Sequence, residues 1–151
     1  MPTKHTAARR GVRSLSWMAR SFESALGELG LSLPQYRLLS YLDQGDWAAS
    51  ALADHLSVSR PSVTSLADGL VAKGLVERHT SEEDRRRVLH ELTASGRAAL
   101  AAADKMLNQR VEGLLDRLPE DRRADAWTGL EALADAFDAA RRERLEGGDV
   151  R

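Results

Sequence analysis

The chain has 151 residues, a formal net charge of −1, 30% charged and 5% aromatic residues, and no cysteine. That length suits one domain with a real core and falls short of two independent ones. The absence of cysteine excludes disulfides, thiolate catalysis and cysteine-based redox sensing; no apolar run approaches the ~20 residues of a membrane span, and the N-terminus lacks an apolar signal core, so a cytoplasmic protein with no membrane partner is expected.

Residues 1–11 are small, basic and aperiodic, and read as a flexible arm. From Val12 onward Leu15, Met18, Phe22, Ala25, Leu26 and Leu29 recur at three- and four-residue steps, predicting a helix that Gly30 stops as its C′ residue. A second short helix carries Pro34 in its first turn, followed by Tyr36, Leu38, Leu39 and Leu42. Gln44-Gly45-Asp46 is a turn, with Trp47 on a short strand. Leu52, Ala53 and Leu56 give one face of a third helix, and Ser57-Val58-Ser59 is the turn after it. Ser59 is the expected N-cap of a fourth helix, where Pro61 near the start costs least. Val63, Leu66, Ala67, Leu70 and Val71 form the buried stripe of that helix, and Gly74 ends it. Leu75-Val76-Glu77-Arg78 and Val88-Leu89-His90-Glu91-Leu92 read as two strands, with His79 to Arg87 as the hairpin tip. Thr93 is an N-cap candidate for an Ala-rich helix through Leu100, Met106, Leu107, Val111, Leu114 and Leu115. Leu118-Pro119 breaks it, and a last helix carries Trp127, Leu130, Leu133, Ala134 and Phe137 before a loose tail at Gly147-Gly148.

The distribution of charge says more than its sum. Lys4, Arg9, Arg10, Arg13 and Arg20 make the N-terminal stretch purely basic, and Arg85, Arg86 and Arg87 form a second cluster. Acids such as Asp116, Glu120, Asp121, Asp135 and Asp138 gather toward the C-terminus. Local cationic surface binds phosphate even on a chain that is neutral overall. The outward face of the fourth helix offers Ser59, Arg60, Ser62, Thr64, Ser65 and Asp68. Short hydroxyls and an Arg near a helix N-terminus suit a major groove; taken alone, this face fits an ordinary solvated surface equally well. The ribbon beyond it favours the groove, because an arginine on a hairpin tip can enter a narrow minor groove.

The run Leu52-Ala53, Val58-Ser59-Arg60-Pro61-Ser62-Val63-Thr64, Leu66, Leu70, Gly74-Leu75-Val76-Glu77-Arg78, Asp84-Arg85-Arg86, Leu92-Thr93 and Gly96-Arg97 resembles the MarR family of bacterial transcription regulators. The resemblance is motif-dense from about Leu33 to Leu100 and architectural outside it. It implies a mainly α fold with a small β-hairpin wing, in which a winged helix-turn-helix lobe over 46–92 binds double-stranded DNA. It also implies a helical dimerisation region over 12–45 and 93–146, flanked by the arm at 1–11 and the tail at 147–151. The DNA-contacting set is then Ser59, Arg60, Ser62, Val63, Thr64, Ser65, Arg85, Arg86 and Arg87, with Arg86 in the minor groove. Asp84 braces the wing through ion pairing. Three departures bear on target choice: Ser65 and Ala48 where relatives often have a basic residue and a capping hydroxyl, and Gly69 inside the fourth helix, at a cost of about 1 kcal/mol against Ala.

Phe22, Trp127, Leu130, Leu133 and Phe137 are expected at the interface of a homodimer; packing of the first helix on the last within one chain is the simpler alternative. The family resemblance further implies release of a pseudo-palindromic operator by a small aromatic or phenolic effector, with Trp17, Ser21, Tyr36, Arg37 and Trp47 as lining candidates. The alternative is a DNA-binding regulator or architectural protein with no effector. An enzyme on this scaffold is disfavoured, because no nucleophile–base pair and no phosphate-cradling Gly loop is present, so neither a catalytic residue nor a cofactor is expected. The four histidines, His5, His55, His79 and His90, show no paired metal-ligand spacing. The last three read as surface residues of the DNA-binding lobe.

Overall fold

A computed structural model describes residues 4–45 and 47–148. The caps that punctuate the sequence set the helix ends. α1 (Lys4–Glu28) stops at Gly30, whose φ of 68° is the left-handed backbone that favours glycine. α2 (Leu33–Leu42) opens on a capping box: Ser32 Oγ accepts from Gln35 N–H at 3.2 Å, and Gln35 Oε1 accepts from Ser32 N–H at 3.2 Å. β1 (Trp47–Ala48) leads into α3 (Ala49–Leu56), whose N-cap Ala48 supplies no side-chain hydrogen bond. Ser57 ends α3 in the left-handed region at φ 55°, and Val58 N–H closes back on the Ala53 carbonyl at 3.1 Å. α4 (Arg60–Ala72) then starts at Ser59, as the sequence predicts, and is followed by β2 (Val76–Thr80), β3 (Val88–Leu92), α5 (Ala94–Leu115) and α6 (Glu120–Gly148).

The three strands form one antiparallel sheet in the order β1-β3-β2. β2 and β3 pair from Val76↔Leu92 to Thr80↔Val88, so the hairpin is longer than the sequence reading allowed and the tip shrinks to 81–87. The core gathers Leu26, Leu38, Leu39, Leu52, Val63, Leu70, Val76 and Leu92, each less than 2% exposed or at that limit. It is continuous from the end of α1 through α2, α3 and α4 to the first half of α5. α2 packs against both α4 and α5, so one core joins the α3–α4 pair to the long helices.

Two junctions demand particular residues. A Cβ at Gly96 would lie 1.9 Å from the Leu75 carbonyl oxygen, so only glycine lets α5 start against the end of α4. Thr93 locks the same corner: its Oγ1 donates to the Gly74 carbonyl at 2.7 Å and accepts from Gly96 N–H at 2.9 Å. Gly69 has a milder reason, since a Cβ there would meet the Gln35 side-chain amide at 3.1 Å.

Both ends differ from expectation. Residues 4–11, read as part of a flexible arm, continue α1, which the helix propensity of Ala and Arg favours, and residues 1–3 of that arm lie outside the described ones. The tail expected at 147–151 begins inside α6, which runs to Gly148, and its last three residues lie outside the described ones. α6 packs on its own chain chiefly against α3, and none of its described residues is buried. At 29 residues it is ~43 Å long. Phe137 is 65% exposed and Trp127 38%, while Leu130 and Leu133 are half-buried, so its apolar stripe is only partly covered by this chain.

Candidate nucleic-acid interface

α4 has two faces because its apolar residues return at helical spacing. Val63, Ala67 and Leu70 are fully buried. Val63, included above among the DNA-contacting residues, therefore belongs to the core: its side chain is spent on packing α4 and offers nothing to a groove. Ser59, Arg60, Ser62, Thr64 and Ser65 are all exposed on the opposite face. Ser59 caps the helix through Ser62 N–H at 3.3 Å and shares a 2.8 Å hydroxyl–hydroxyl hydrogen bond with Ser62. Thr64 donates to the Arg60 carbonyl at 3.1 Å, which leaves its hydroxyl oxygen free to accept. The helix N-terminus adds a partial positive charge at the same place.

The wing tip is built around Asp84. Its Oδ1 accepts the Arg86 N–H at 2.9 Å, its carbonyl accepts the Arg87 N–H at 2.9 Å, and its own N–H reaches Ser81 Oγ at 3.4 Å. Ser81 N–H donates to the Arg87 carbonyl at 2.9 Å and closes the loop. Asp84 thus braces the wing through the backbone rather than through the expected ion pair; among the described residues it has no cation within 4 Å. Backbone bracing leaves Arg85, Arg86 and Arg87 exposed, and among the described residues neither these nor Arg60 is held in an ion pair.

Helix and wing are tied together by groups that sequence reasoning missed. Asp68, on the outward face of α4, takes a 2.5 Å ion pair from Arg78 of β2. Arg78 Nε–H also donates to His90 Nε2 at 3.1 Å, and His90 Nδ1 lies 3.2 Å from the Trp47 carbonyl. His90 is 4% exposed, not a surface residue. Burial pushes its pKa below the ordinary value; the electrostatic influence of Arg78 and His79 acts in the same direction, and the Trp47 carbonyl and Asp68 oppose it. His55 is likewise no phosphate ligand in waiting: it packs edge-on against Trp47 at 4.7 Å and against Tyr41 at 5.2 Å. The Arg78–His90 contact was legible in principle, because the two residues are directly opposite in the hairpin register.

The five residues proposed for one effector pocket do not converge. Trp17 and Ser21 line a cleft of about 490 Å³ between α1 and α5, with Met18, Phe22, Arg110, Leu114 and Arg117. Tyr36 instead donates to Asp104 of α5 at 2.7 Å; burial first, then this bond and the carboxylate charge, push its pKa up to about 12. Arg37 borders a separate hollow of about 170 Å³ with Ser40, Tyr41 and Gln44. Trp47 donates from its indole N–H to the Tyr41 carbonyl at 3.0 Å and packs on His55. Partial burial and hydrogen bonding account for Tyr36 and Trp47, whereas Arg37 is exposed and donates to the Leu56 carbonyl at 3.5 Å. Among the described residues no group of three or more His, Asp or Glu could hold a metal.

A sequence model of the MarR family matches residues 29–87. The chain is 32% identical over 111 residues to the HTH-type transcriptional repressor Rv2887 of Mycobacterium tuberculosis, covering 73% of this chain and 80% of that protein. Its fold is similar to that of MarR from E. coli, with a TM-score of 0.75, 25% identity and coverage of 88% and 96% of the two chains. It is also similar to the repressor CouR bound to a 23-mer DNA duplex, at a TM-score of 0.68, 28% identity and coverage of 88% and 92%. The match in sequence falls on α2 through the wing tip, where the helix-turn-helix, the Asp84 brace and the arginines lie, and the match in fold extends to the outer helices. The chain belongs to the MarR family of winged helix-turn-helix transcription regulators, which are non-enzymatic DNA-binding proteins.

Proposed function

We propose that the protein is a homodimeric repressor that reads a pseudo-palindromic operator. The observation that carries the DNA-reading part is the joined surface of α4 and the wing. An exposed hydroxyl-rich helix face and three arginines outside any described ion pair are bound to each other by Asp68–Arg78. In this reading Ser59, Arg60, Ser62, Thr64 and Ser65 meet the major groove, Arg86 enters the minor groove, and Arg85 and Arg87 contact phosphate.

The dimer is supported by α6. A long helix whose Trp127, Leu130, Leu133 and Phe137 stripe is only partly covered by its own chain needs a second copy to finish burying it, together with Phe22 and the open face of α1. Two such subunits read half-sites about one helical turn, ~34 Å, apart.

For the effector, the α1–α5 cleft is the available space. Its Trp17, Phe22 and Leu114 suit an aromatic ring, and Arg110 and Arg117 suit an acidic group. Binding there shifts the spacing of the reading helices only if the ligand prefers one state. The effector-free alternative has its own support: the cleft opens on the α1 face that the partner subunit would cover, and Arg110 is already paired to Glu28 at 2.9 Å. Selection of duplexes from a random pool, followed by challenge with aromatic acids, separates the two. Release of the selected duplex supports the effector; retention with every compound supports the alternative; failure to enrich any sequence removes the operator reading itself.

A further inference from the structure

Arg78 has only donors, so its Nε–H must be the donor to His90 Nε2. His90 Nε2 then carries no proton, and the neutral ring places its proton on Nδ1, where it donates to the Trp47 carbonyl. One buried imidazole therefore spans all three strands: β1 through Trp47, its own β3, and β2 through Arg78. Arg78 in turn holds Asp68 of α4. The order of contacts is β1 carbonyl, imidazole, guanidinium, α4 carboxylate, and it ends on the outward face of the helix that reads DNA.

We propose that His90 is a positioning residue for DNA reading, which in its neutral form fixes the guanidinium that ties α4 to the wing, and whose protonation releases that tie and weakens DNA binding. A proton taken from solvent at Nε2 sets a second N–H against the Arg78 Nε–H and puts two cations in contact. The groups acting on the ring are Arg78 and His79 from β2 and Asp68 from α4, with the Trp47 carbonyl from β1. Of these only Asp68 and the carbonyl favour the cation, and Asp68 is already engaged by Arg78. Burial opposes it as well, so the folded state binds the proton less readily than the unfolded chain. Stability from neutral His90 is complete above the unfolded pKa, near 6.5, and is lost as pH falls through the lower folded value.

The inference rests on the DNA-reading assignment of α4 and the wing, and two measurements keep the failures apart. The first uses the full chain and a duplex recovered from a random pool with wild-type protein at neutral pH. Affinity is compared for wild type, His90→Gln and His90→Leu at pH ~8 and at a pH below the His90 midpoint, which is located from its own ring resonances in the free protein. Gln retains an acceptor for Arg78 and does not titrate; Leu offers none. Wild-type affinity should fall roughly fivefold or more beyond the change in His90→Gln, the lower end of ordinary coupling between linked sites. His90→Leu should bind weakly at both values. An equal fall in wild type and His90→Gln overturns the proposal. The second follows the Arg78 Nε–H resonance of free wild-type protein through the His90 titration. Its movement with His90 supports the link, and its indifference refutes it, even should His90→Leu fail to fold or no duplex be recovered.

Discussion

Arg86 and Trp17 illustrate how little a residue type says without its surroundings. Both are exposed, yet Arg86 is aimed by the Asp84 hydrogen bond to its own backbone N–H, whereas Trp17, 79% exposed, lies along a cleft. Arg86→Ala should weaken DNA binding and flatten the dependence of log affinity on log salt, because a cation in the minor groove also displaces condensed counterions. Unchanged affinity and slope in a salt titration would remove Arg86 from the interface. Trp17→Ala should leave thermal stability of the isolated fold within roughly 0.5 kcal/mol, as for other surface substitutions, while changing assembly or ligand response. A large drop in melting temperature at constant oligomeric state would return Trp17 to the core. Ser59→Ala should cost ~1 kcal/mol, because it removes the cap on α4, and this is readable by denaturant unfolding.

At the level of elements, the corner between α4, the sheet and α5 is the least forgiving part of the chain. Gly96→Ala drives a methyl group into the Leu75 carbonyl, a backbone atom that has nowhere to go without moving the strand that Thr93 pins. The expected penalty is about 1–3 kcal/mol, the usual range for overpacking; a melting temperature equal to wild type would show that α5 slides freely, contrary to the hydrogen bonds at its start. The same corner explains why the hairpin register could have been counted from its ends: Val76↔Leu92 sets every later pair, including Arg78↔His90. What counting could not supply is Asp68, which comes from another element.

The whole molecule is divided between a packed end and an open one. The core from α1 to the first half of α5 is closed by Leu26, Leu38, Leu52, Leu70 and Leu92, whereas α6 lies outside it. A chain truncated after Pro119 should keep the core yet sediment as a monomer, since it loses the partly covered stripe. A stable dimer that still binds DNA after truncation would move the interface elsewhere.

Much of this protein was determined locally. Periodic apolar residues, Ser32, Ser59 and Thr93 as caps, Gly30 and Gly74 as stops and the turn at Ser57 place the described helices and strands, because each signal acts within a few residues of backbone. The outward face of α4 and the arginines at 85–87 follow from the same spacing. Three things waited for the tertiary structure. Val63 had to be assigned to one face of α4, and its complete burial decided that it packs. His90 had to be classed as surface or interior, and the sheet crossing decided the interior, because a neutral imidazole can satisfy a carbonyl and a donor at once; His55 on α3 is half-buried and packs on the Trp47 and Tyr41 rings instead. Finally, Asp68 met Arg78, and Tyr36 met Asp104, across 10 and 68 residues of chain. Such pairings depend on where whole elements come to rest, which no local pattern encodes.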